Sequence, residues 1–308
     1  MHGFYKRYIH TAVTQGRLPL WNPYHWLGRP FLADPESAFF YPPEALYWFL
    51  DARLACGIVT ALHLVLCEYG TLRLSRALGA SNGVSLFAGV AFAASAPIIG
   101  SFAGGLIHYG QALCFTPLVL YLGLRIQARP TARGIGLLAL MVGLDVLCGH
   151  PQATWVTLVG LAAFLCSRRL RLPFLASLAG LGADLVMIFL AVALGFAIAA
   201  VVVLPLAELA AEGNRVGTSM AFTATLAEPA RGWATLFLPA EMPFLVVPAG
   251  AQMYVGTAAL VAGCCGFVRL QNRVSRSLLL LAVFAGLLLN VNYIDSATSI
   301  TSPHQPPG

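Results

Sequence analysis

Two carboxylates stand beside prolines early in the chain, in the run Asp34-Pro35-Glu36-Ser37. Carboxylates serve proteins as general bases and as metal ligands. The same run is also a good helix start, because Asp caps a first turn and Pro suits its first position. Asp34 and Glu36 are therefore candidate catalytic residues, with a solvated loop or a helix cap as the structural alternative.

Arginines in the predicted outer segments, apart from the main basic clusters, are candidates for binding an anion: Arg29, Arg231 and, more weakly, Arg215. Arg29 and Arg231 are surrounded by prolines and aromatic residues. The planar guanidinium suits two-point contact with phosphate. The alternative is an arginine that reaches the membrane surface or pairs with an acid in its own loop. We predict that Arg29 and Arg231 contact the substrate.

Histidine and glutamine recur together at two predicted helix ends. His108 is followed by Gln111, and His150 is followed by Gln152. Histidine can donate to an anion or shuttle a proton near neutral pH. Its structural alternative is an interfacial residue that caps a helix end. We predict a catalytic role for His150 and substrate contacts for the other three.

These residues must be positioned by helices in a membrane. Of the 308 residues, 58% are hydrophobic and only 10% are charged, whereas soluble domains carry roughly a quarter charged residues. Several apolar runs approach the roughly 20 residues that a helix needs to cross a bilayer. The composition therefore excludes an ordinary soluble fold and predicts an all-α, polytopic bundle of transmembrane helices.

The net charge of +6 does not indicate a nucleic-acid-binding protein. Its cations are arginines in short clusters between apolar runs, apart from Lys6, and this pattern is typical of loops that face anionic cytoplasmic lipid. Seven cysteines form no CxxC pair, so neither a metal site nor a disulfide framework is indicated.

We predict about eight spans, at 54–72, 83–103, 109–126, 134–149, 152–167, 185–205, 252–268 and 277–294. Arginine clusters follow the first, third, fifth and seventh spans. By the positive-inside rule these loops are cytoplasmic. The outer face then carries the loops 1–53 and 206–251, in a single membrane domain of residues 1–295 with a polar tail at 296–308.

The two outer loops are rich in proline and aromatic residues. Proline interrupts regular helices, and aromatic rings prefer the bilayer–water boundary. Together they predict short interfacial helices on the outer leaflet.

Three sequence motifs carry a resemblance to a known family. The run Pro19-Leu20-Trp21-Asn22-Pro23-Tyr24, continued by Gly28-Arg29-Pro30 and by residues 33–43, resembles the first outer loop of YfhO-type bacterial membrane proteins. Gly149-His150-Pro151-Gln152 and Tyr254-Val255-Gly256 are similar to later family motifs and follow in the expected order. The resemblance covers nearly the whole chain.

The resemblance implies a GT-C-like glycosyltransferase of the bacterial cytoplasmic membrane, with its active face outside the cytoplasm. Such enzymes transfer a sugar from a polyprenyl-phosphate carrier to a cell-envelope glycan or protein acceptor. It leaves a divalent cation cofactor open. Trp21, Asn22 and Tyr41 become candidate substrate contacts that stack on a sugar or prenyl chain; the alternative for the rings is an aromatic belt.

Family members usually carry a transmembrane helix and an acidic motif upstream of the Pro19–Tyr24 run. Neither is found between His2 and that run. We therefore expect the chain to be a piece of a longer protein, which also makes a non-catalytic membrane fragment an alternative. A third hypothesis, a transporter or flippase for a lipid or polar solute, is disfavoured because charges are almost absent from the middle of the predicted spans.

Overall fold

A computed structural model describes residues 2–25, 27–169 and 174–212 of the chain. Over these residues the predicted all-α class is confirmed. One short hairpin pairs strands β1 (Trp21–Asn22) and β2 (Arg29–Pro30). The helices are α1 (His2–Thr14), α2 (Leu46–Phe49), α3 (Ala52–Ala77), α4 (Asn82–Ala93), α5 (Ala96–Ala103), α6 (Ile107–Ala128), α7 (Ala132–Leu147), α8 (Pro151–Arg169), α9 (Phe174–Ile198) and α10 (Ala200–Glu212).

Within the described ranges, four helical segments are long and apolar enough to cross a membrane. They are α3, the pair α4–α5, α6 and the part of α9 from Gly180 to Ile198. The shorter helices α7 and α8 lie at the predicted spans 134–149 and 152–167, although α7 ends two residues before the predicted boundary. The last two predicted spans lie outside the described residues, so the number of eight stays a prediction.

Two helix boundaries differ from the prediction. Span 185–205 is divided between α9 and α10, which meet at Ala199. The predicted outer loop 206–251 begins as helix, because α10 continues to Glu212. Residues 206–212 are mostly Ala, Leu and Glu, which have high helix propensity, so the helix extends beyond the predicted span. The rest of that loop lies outside the described residues.

The second predicted span, 83–103, consists of two successive helices, α4 and α5. Helix α4 ends at Ala93 and α5 begins at Ala96, with Pro97 in its first turn. A proline ring clashes with the preceding turn and provides no backbone N–H, so a continuous helix is interrupted there.

Helix α6 is the centre of the bundle. It packs against α3, α5, α7, α8 and α9. In its most apolar stretch, 83% of the residues are buried, against 28% for α3. Gly123 allows close approach of α8, because a Cβ at this position would collide with the Leu161 side chain. The other spans therefore surround α6 and shield it from lipid.

The two ends of the bundle differ in their side chains. At one end, here called the basic end, Arg73 of α3 and Arg125 of α6 both donate to the Tyr121 hydroxyl, at 2.7 and 3.1 Å. Beside them, Arg168 and Asp184 are linked through the Gln127 amide. The opposite end of α6 contacts residues 2–51, which form a folded unit here called the cap.

The cap begins with α1, which the sequence patterns did not single out. Tyr5, Ile9 and Ala12 lie on one face of this helix and are buried. Tyr5 and Ile9 pack with Phe31 and Phe39 of the following loop. Because α1 is short and mixes aromatic, basic and apolar residues, its amphipathic pattern was less evident than the transmembrane runs.

Candidate functional site

The two strands of the cap hairpin are closely packed at Gly28. Gly28 has a positive φ of 105°, and a Cβ on it would lie 2.7 Å from the Trp21 ring. Only glycine fits such a position without strain. The Asn22 side chain accepts a hydrogen bond from the Tyr24 backbone N–H, at 3.0 Å. The motif residues Trp21, Asn22 and Arg29 therefore lie together on the two paired strands.

A cleft of about 640 Å³ lies between α1 and this hairpin. Aromatic rings form much of its wall, with Tyr8 and Tyr24 in edge-to-face contact at 6.1 Å between centroids. Its polar lining includes Arg7, Arg17 and His25. A site of this size, with apolar walls and a few polar groups, is typical of clefts that bind small ligands.

Asp34 lies behind the cleft and is 4% exposed. One carboxylate oxygen accepts from the Glu36 backbone N–H at 3.1 Å, so Asp34 caps the 3-10 helix Pro35–Ser37. The other oxygen accepts from the Tyr5 hydroxyl at 2.8 Å and pairs with Arg29 at 3.1 Å. The helix-capping role, which was the structural alternative for Asp34, is therefore present in the structure. The same carboxylate also connects Tyr5 of the cleft wall to Arg29.

Glu36 lies at the surface of the cap, close to Asp34. Partial desolvation raises the pKa of Glu36, and the neighbouring Asp34 carboxylate raises it further, while Arg29 and His25 act in the opposite direction. Two acids, a cation and a histidine therefore interact within a few residues of the cleft. Such a concentration of coupled titratable groups is common at functional sites.

The Asp34–Ser37 segment packs directly on the Gly149-His150 turn. Gly149 has a φ of 98°, and a Cβ here would overlap the Pro35 carbonyl oxygen. The His150 ring lies against Tyr109, with 4.9 Å between centroids. Its Nδ1 accepts from the Ala153 backbone N–H at 3.3 Å, as a cap of α8. Two of the motifs that carry the family resemblance are thus in contact.

His150 combines its capping role with partial burial. Removal of water lowers the pKa of its imidazole, which keeps the ring neutral over a wider pH range. Its neighbour Gln152, a predicted substrate contact, is exposed on the first turn of α8.

A chain of buried polar groups joins the cap to the bundle. The Lys6 ammonium pairs with Glu44 at 2.7 Å and donates to the Ser37 carbonyl at 2.9 Å. Gln111 of α6 donates to Glu44 at 2.9 Å, and its amide oxygen accepts from His108 Nδ1 at 3.0 Å. We call the set Lys6, Glu44, Gln111 and His108 the buried network.

Lys6 and Glu44 were not identified from the sequence. The available signal was that Lys6, the single lysine of the chain, falls on the same face of α1 as Ile9. His108 and Gln111, predicted as substrate contacts, are themselves buried in the network. In this arrangement they hold the cap on α6, and their contact with substrate stays a prediction.

Tyr41 is a second buried link between cap and bundle. It is 2% exposed, and its hydroxyl lies 2.7 Å from His63 Nε2 on α3. Burial raises the pKa of Tyr41, so the phenol keeps its proton and donates to His63. Tyr41 therefore holds the cap against α3, while its predicted substrate contact is untested.

The structure brings the predicted residues into three groups. The first group lies on the cap beside the cleft and contains Trp21, Asn22, Arg29, Asp34 and Glu36. The second lies at the adjoining turn and contains His150 and Gln152. The third is buried beneath them and contains Tyr41, His108 and Gln111. Arg231 lies outside the described residues. Sequence patterns missed the cleft residues Tyr5, Arg7 and His25, whose only signal was their proximity to the motif run.

No group of three or more His, Cys, Asp or Glu side chains in the described part of the chain is arranged to hold a metal ion. Asp34 already binds Arg29 and Tyr5. Participation of a divalent cation, which the resemblance left open, stays a hypothesis.

Comparisons with protein-family models, with curated proteins and with solved structures give no match to this chain.

Proposed function

We propose that the chain is a GT-C-type membrane glycosyltransferase, which transfers a sugar from a polyprenyl-phosphate carrier to a cell-envelope acceptor on the outer face of the bacterial cytoplasmic membrane. One observation carries the proposal. The Asp34–Ser37 segment and the Gly149-His150 turn, far apart in the chain, are packed together without room for a Cβ at Gly149. Both belong to the motifs that resemble the YfhO-type family, and a ligand-sized cleft lies beside them.

The cleft has the chemistry that such a reaction needs. Aromatic faces such as Tyr8 and Tyr24 suit the apolar face of a sugar ring or a prenyl chain. Arg7 and Arg17 supply positive charge for the carrier phosphate, whose charge grows as it leaves. The α1 face that carries Arg7 is exposed, so a lipid-linked donor can approach from the membrane surface.

The position of the cleft agrees with chemistry outside the cytoplasm. It lies at the cap end of the bundle, opposite the basic end with Arg73 and Arg125. Arginine-rich loops are retained in the cytoplasm during insertion. The cap then faces outward, where polyprenyl-linked sugars are used in envelope assembly.

The transfer itself can be assayed with the chain in membrane vesicles. Radiolabelled polyprenyl-phosphate hexoses are supplied one at a time, with an envelope fraction as acceptor, and label in new glycosidic product is measured. We expect transfer from at least one donor. Asp34→Asn and Arg29→Gln should reduce its rate at least ~10-fold, because each removes a charge beside the cleft. Arg53→Gln, an exposed arginine at the start of α3, is the matched control.

Absence of glycosidic product with every donor would overturn the proposal. Movement of the labelled carrier across sealed vesicles without new product would instead favour the flippase alternative. If the Asp34, Arg29 and Arg53 variants all transfer sugar at the same rate, the reaction does not take place at the cleft of the cap.

A further inference from the structure

The geometry points to His25 as the catalytic base that accepts the proton of the acceptor hydroxyl, an inference that rests on the proposed function. His25 lines the cleft, and its neighbour Tyr5 lies between it and Asp34. Asp34, the more obvious candidate base, is almost completely buried behind that tyrosine. The ring of His25 is therefore the basic group at the cleft wall, and Asp34 acts through Tyr5 as a positioning residue.

The hydrogen bonds assign the tautomer of His25. Tyr5 has one hydroxyl proton, and an ionised carboxylate can only accept, so the 2.8 Å contact is a donation from Tyr5 to Asp34. The Tyr5 oxygen is then the acceptor in its 3.4 Å contact with His25 Nδ1. Nδ1 therefore carries the proton of the neutral ring, and Nε2 carries the basic lone pair.

The surroundings keep Tyr5 in this role. Burial raises the pKa of Tyr5, and the hydrogen bond to Asp34 raises it further. The phenol therefore stays protonated and cannot become a competing anion. Tyr5 and His25 are also in edge-to-face contact at 5.5 Å, which fixes the ring plane of the histidine.

Charged groups on all sides suit a histidine that gains a proton during the reaction. Glu36 is close enough to interact electrostatically with His25, and Asp34 accepts a hydrogen bond from its neighbour Tyr5. Arg7 and Arg17 line the same cleft and Arg29 pairs with Asp34, so positive charge is present for an anion as well. The cleft thus offers an acid–base group and phosphate-binding cations side by side.

His25 and the arginines of the cleft account for each bond and proton that changes in the transfer. The acceptor oxygen forms a bond to the anomeric carbon while its proton moves to His25 Nε2. The bond from that carbon to the carrier phosphate oxygen breaks, and the electron pair leaves with the phosphate beside the arginines. The imidazolium, stabilised through Tyr5 and Asp34, later returns its proton to water.

A first test needs no catalysis. With ¹⁵N-labelled histidine in the chain in lipid nanodiscs, NMR distinguishes which ring nitrogen carries the proton, and His25→Gln identifies the resonance. In the wild type we expect the neutral form of His25 to carry its proton on Nδ1. Tyr5→Phe removes the hydroxyl and should shift the ring towards Nε2 protonation, the form favoured in water. Nε2 protonation in the wild type would overturn the inference.

The second test is kinetic. His25→Gln keeps the size of the side chain but cannot take a proton, so kcat should fall about 10²-fold or more while KM changes little. Tyr5→Phe should lower kcat less, since it leaves the imidazole in place. His10→Gln is the matched control, because His10 is a histidine of the same cap that contacts the Tyr47 carbonyl and is not part of the cleft lining.

The outcomes separate this inference from the function on which it rests. A wild-type chain that transfers sugar, together with a His25→Gln variant of equal kcat, overturns the role of His25 alone. A wild-type chain that transfers no sugar overturns the proposed function, and the role of His25 with it, whichever tautomer the NMR measurement gives.

Discussion

At the cap end, the Lys6 ammonium has 0% exposed side-chain area and pairs with a Glu44 carboxylate that is 1% exposed. At the basic end, Arg125 is exposed and contacts the neutral hydroxyl of Tyr121. A buried charge depends on its partner because water cannot replace it, whereas an exposed guanidinium is solvated in any case. The two ends therefore differ in how one cation is placed: Lys6 is buried and attaches the cap to the bundle, whereas the Arg125 guanidinium at the basic end stays exposed.

The buried network also joins three separate segments of the chain through groups that share partners. Lys6 in α1 contacts Ser37 and Glu44, and Glu44 contacts Gln111 in α6. At the basic end, the contacts join residues of neighbouring packed helices, such as Arg73 and Tyr121. Loss of one group should therefore affect the cap end far more than the basic end.

The largest effect is expected from Lys6→Met. It leaves the Glu44 carboxylate buried without its cation, which costs about 3–5 kcal/mol of unfolding free energy. Arg73→Met at the basic end should cost less than about 1 kcal/mol. Denaturant unfolding in lipid nanodiscs measures both. In Lys6→Met/Glu44→Gln, the amide oxygen can still accept from Gln111, so much of the loss should be recovered; equal losses for Lys6→Met and Arg73→Met would refute the comparison.

A glycine at each end sharpens the comparison. Gly149→Ala places a Cβ against the Pro35 carbonyl, whereas Gly79→Ala, with a similar φ of 96°, meets nothing within 4 Å. Both pay about 1–2 kcal/mol for the left-handed backbone, and crowding should add about 1–3 kcal/mol at Gly149 alone. Thermal unfolding of the two variants checks the difference. If they are equally stable, the cap and the Gly149 turn are not tightly packed.

The third prediction concerns pH at the cap end. Because burial lowers the pKa of His150 below its ordinary value of about 6.5, the folded protein favours the neutral ring. This stabilisation is fully present above that ordinary value and is lost as the pH falls through the lowered pKa. The wild type should therefore lose more thermal stability between pH 8 and pH 5 than His150→Gln. A parallel decline in both proteins would contradict the assignment.

The smallest effect is expected from Tyr121→Phe. It removes the hydroxyl that Arg73 and Arg125 share, but both guanidinium groups can bind water instead. We expect a loss below about 1 kcal/mol in the same unfolding assay. A loss of unfolding free energy comparable to that of Lys6→Met would show that the basic end excludes water as completely as the cap end.

The helical class and the presence of helices at six of the predicted span positions were accessible from the sequence, because apolar runs and proline positions are local signals. In the described ranges, four helical segments are long and apolar enough to cross a membrane. A helix is present at each of these six positions, although the span 185–205 is divided at Ala199. The signal that Asp34 could start a helix was also local, and in the structure Asp34 caps the short helix Pro35–Ser37.

The buried network could not be predicted in the same way. Lys6 and Glu44 are ordinary polar residues in sequence, and only the folded cap brings them together. The same is true of Tyr5 and His25, whose relation to Asp34 depends on α1 packing against the loop. Contacts between distant segments have no periodic signature, so candidates chosen by motif included the buried Tyr41 and omitted His25.

The central position of α6 has a consequence for how the chain is made. Of the four segments able to cross a membrane in the described ranges, α6 has the lowest mean hydropathy, yet it is the one most enclosed by other helices. A helix that lipid alone accepts less readily gains from neighbours that are already in the bilayer. Helices α3 to α5 leave the ribosome first, so they can receive α6 as it emerges. The contacts of α6 with α3 and α5 in the structure are then the first ones open to it, and those with α7, α8 and α9 follow.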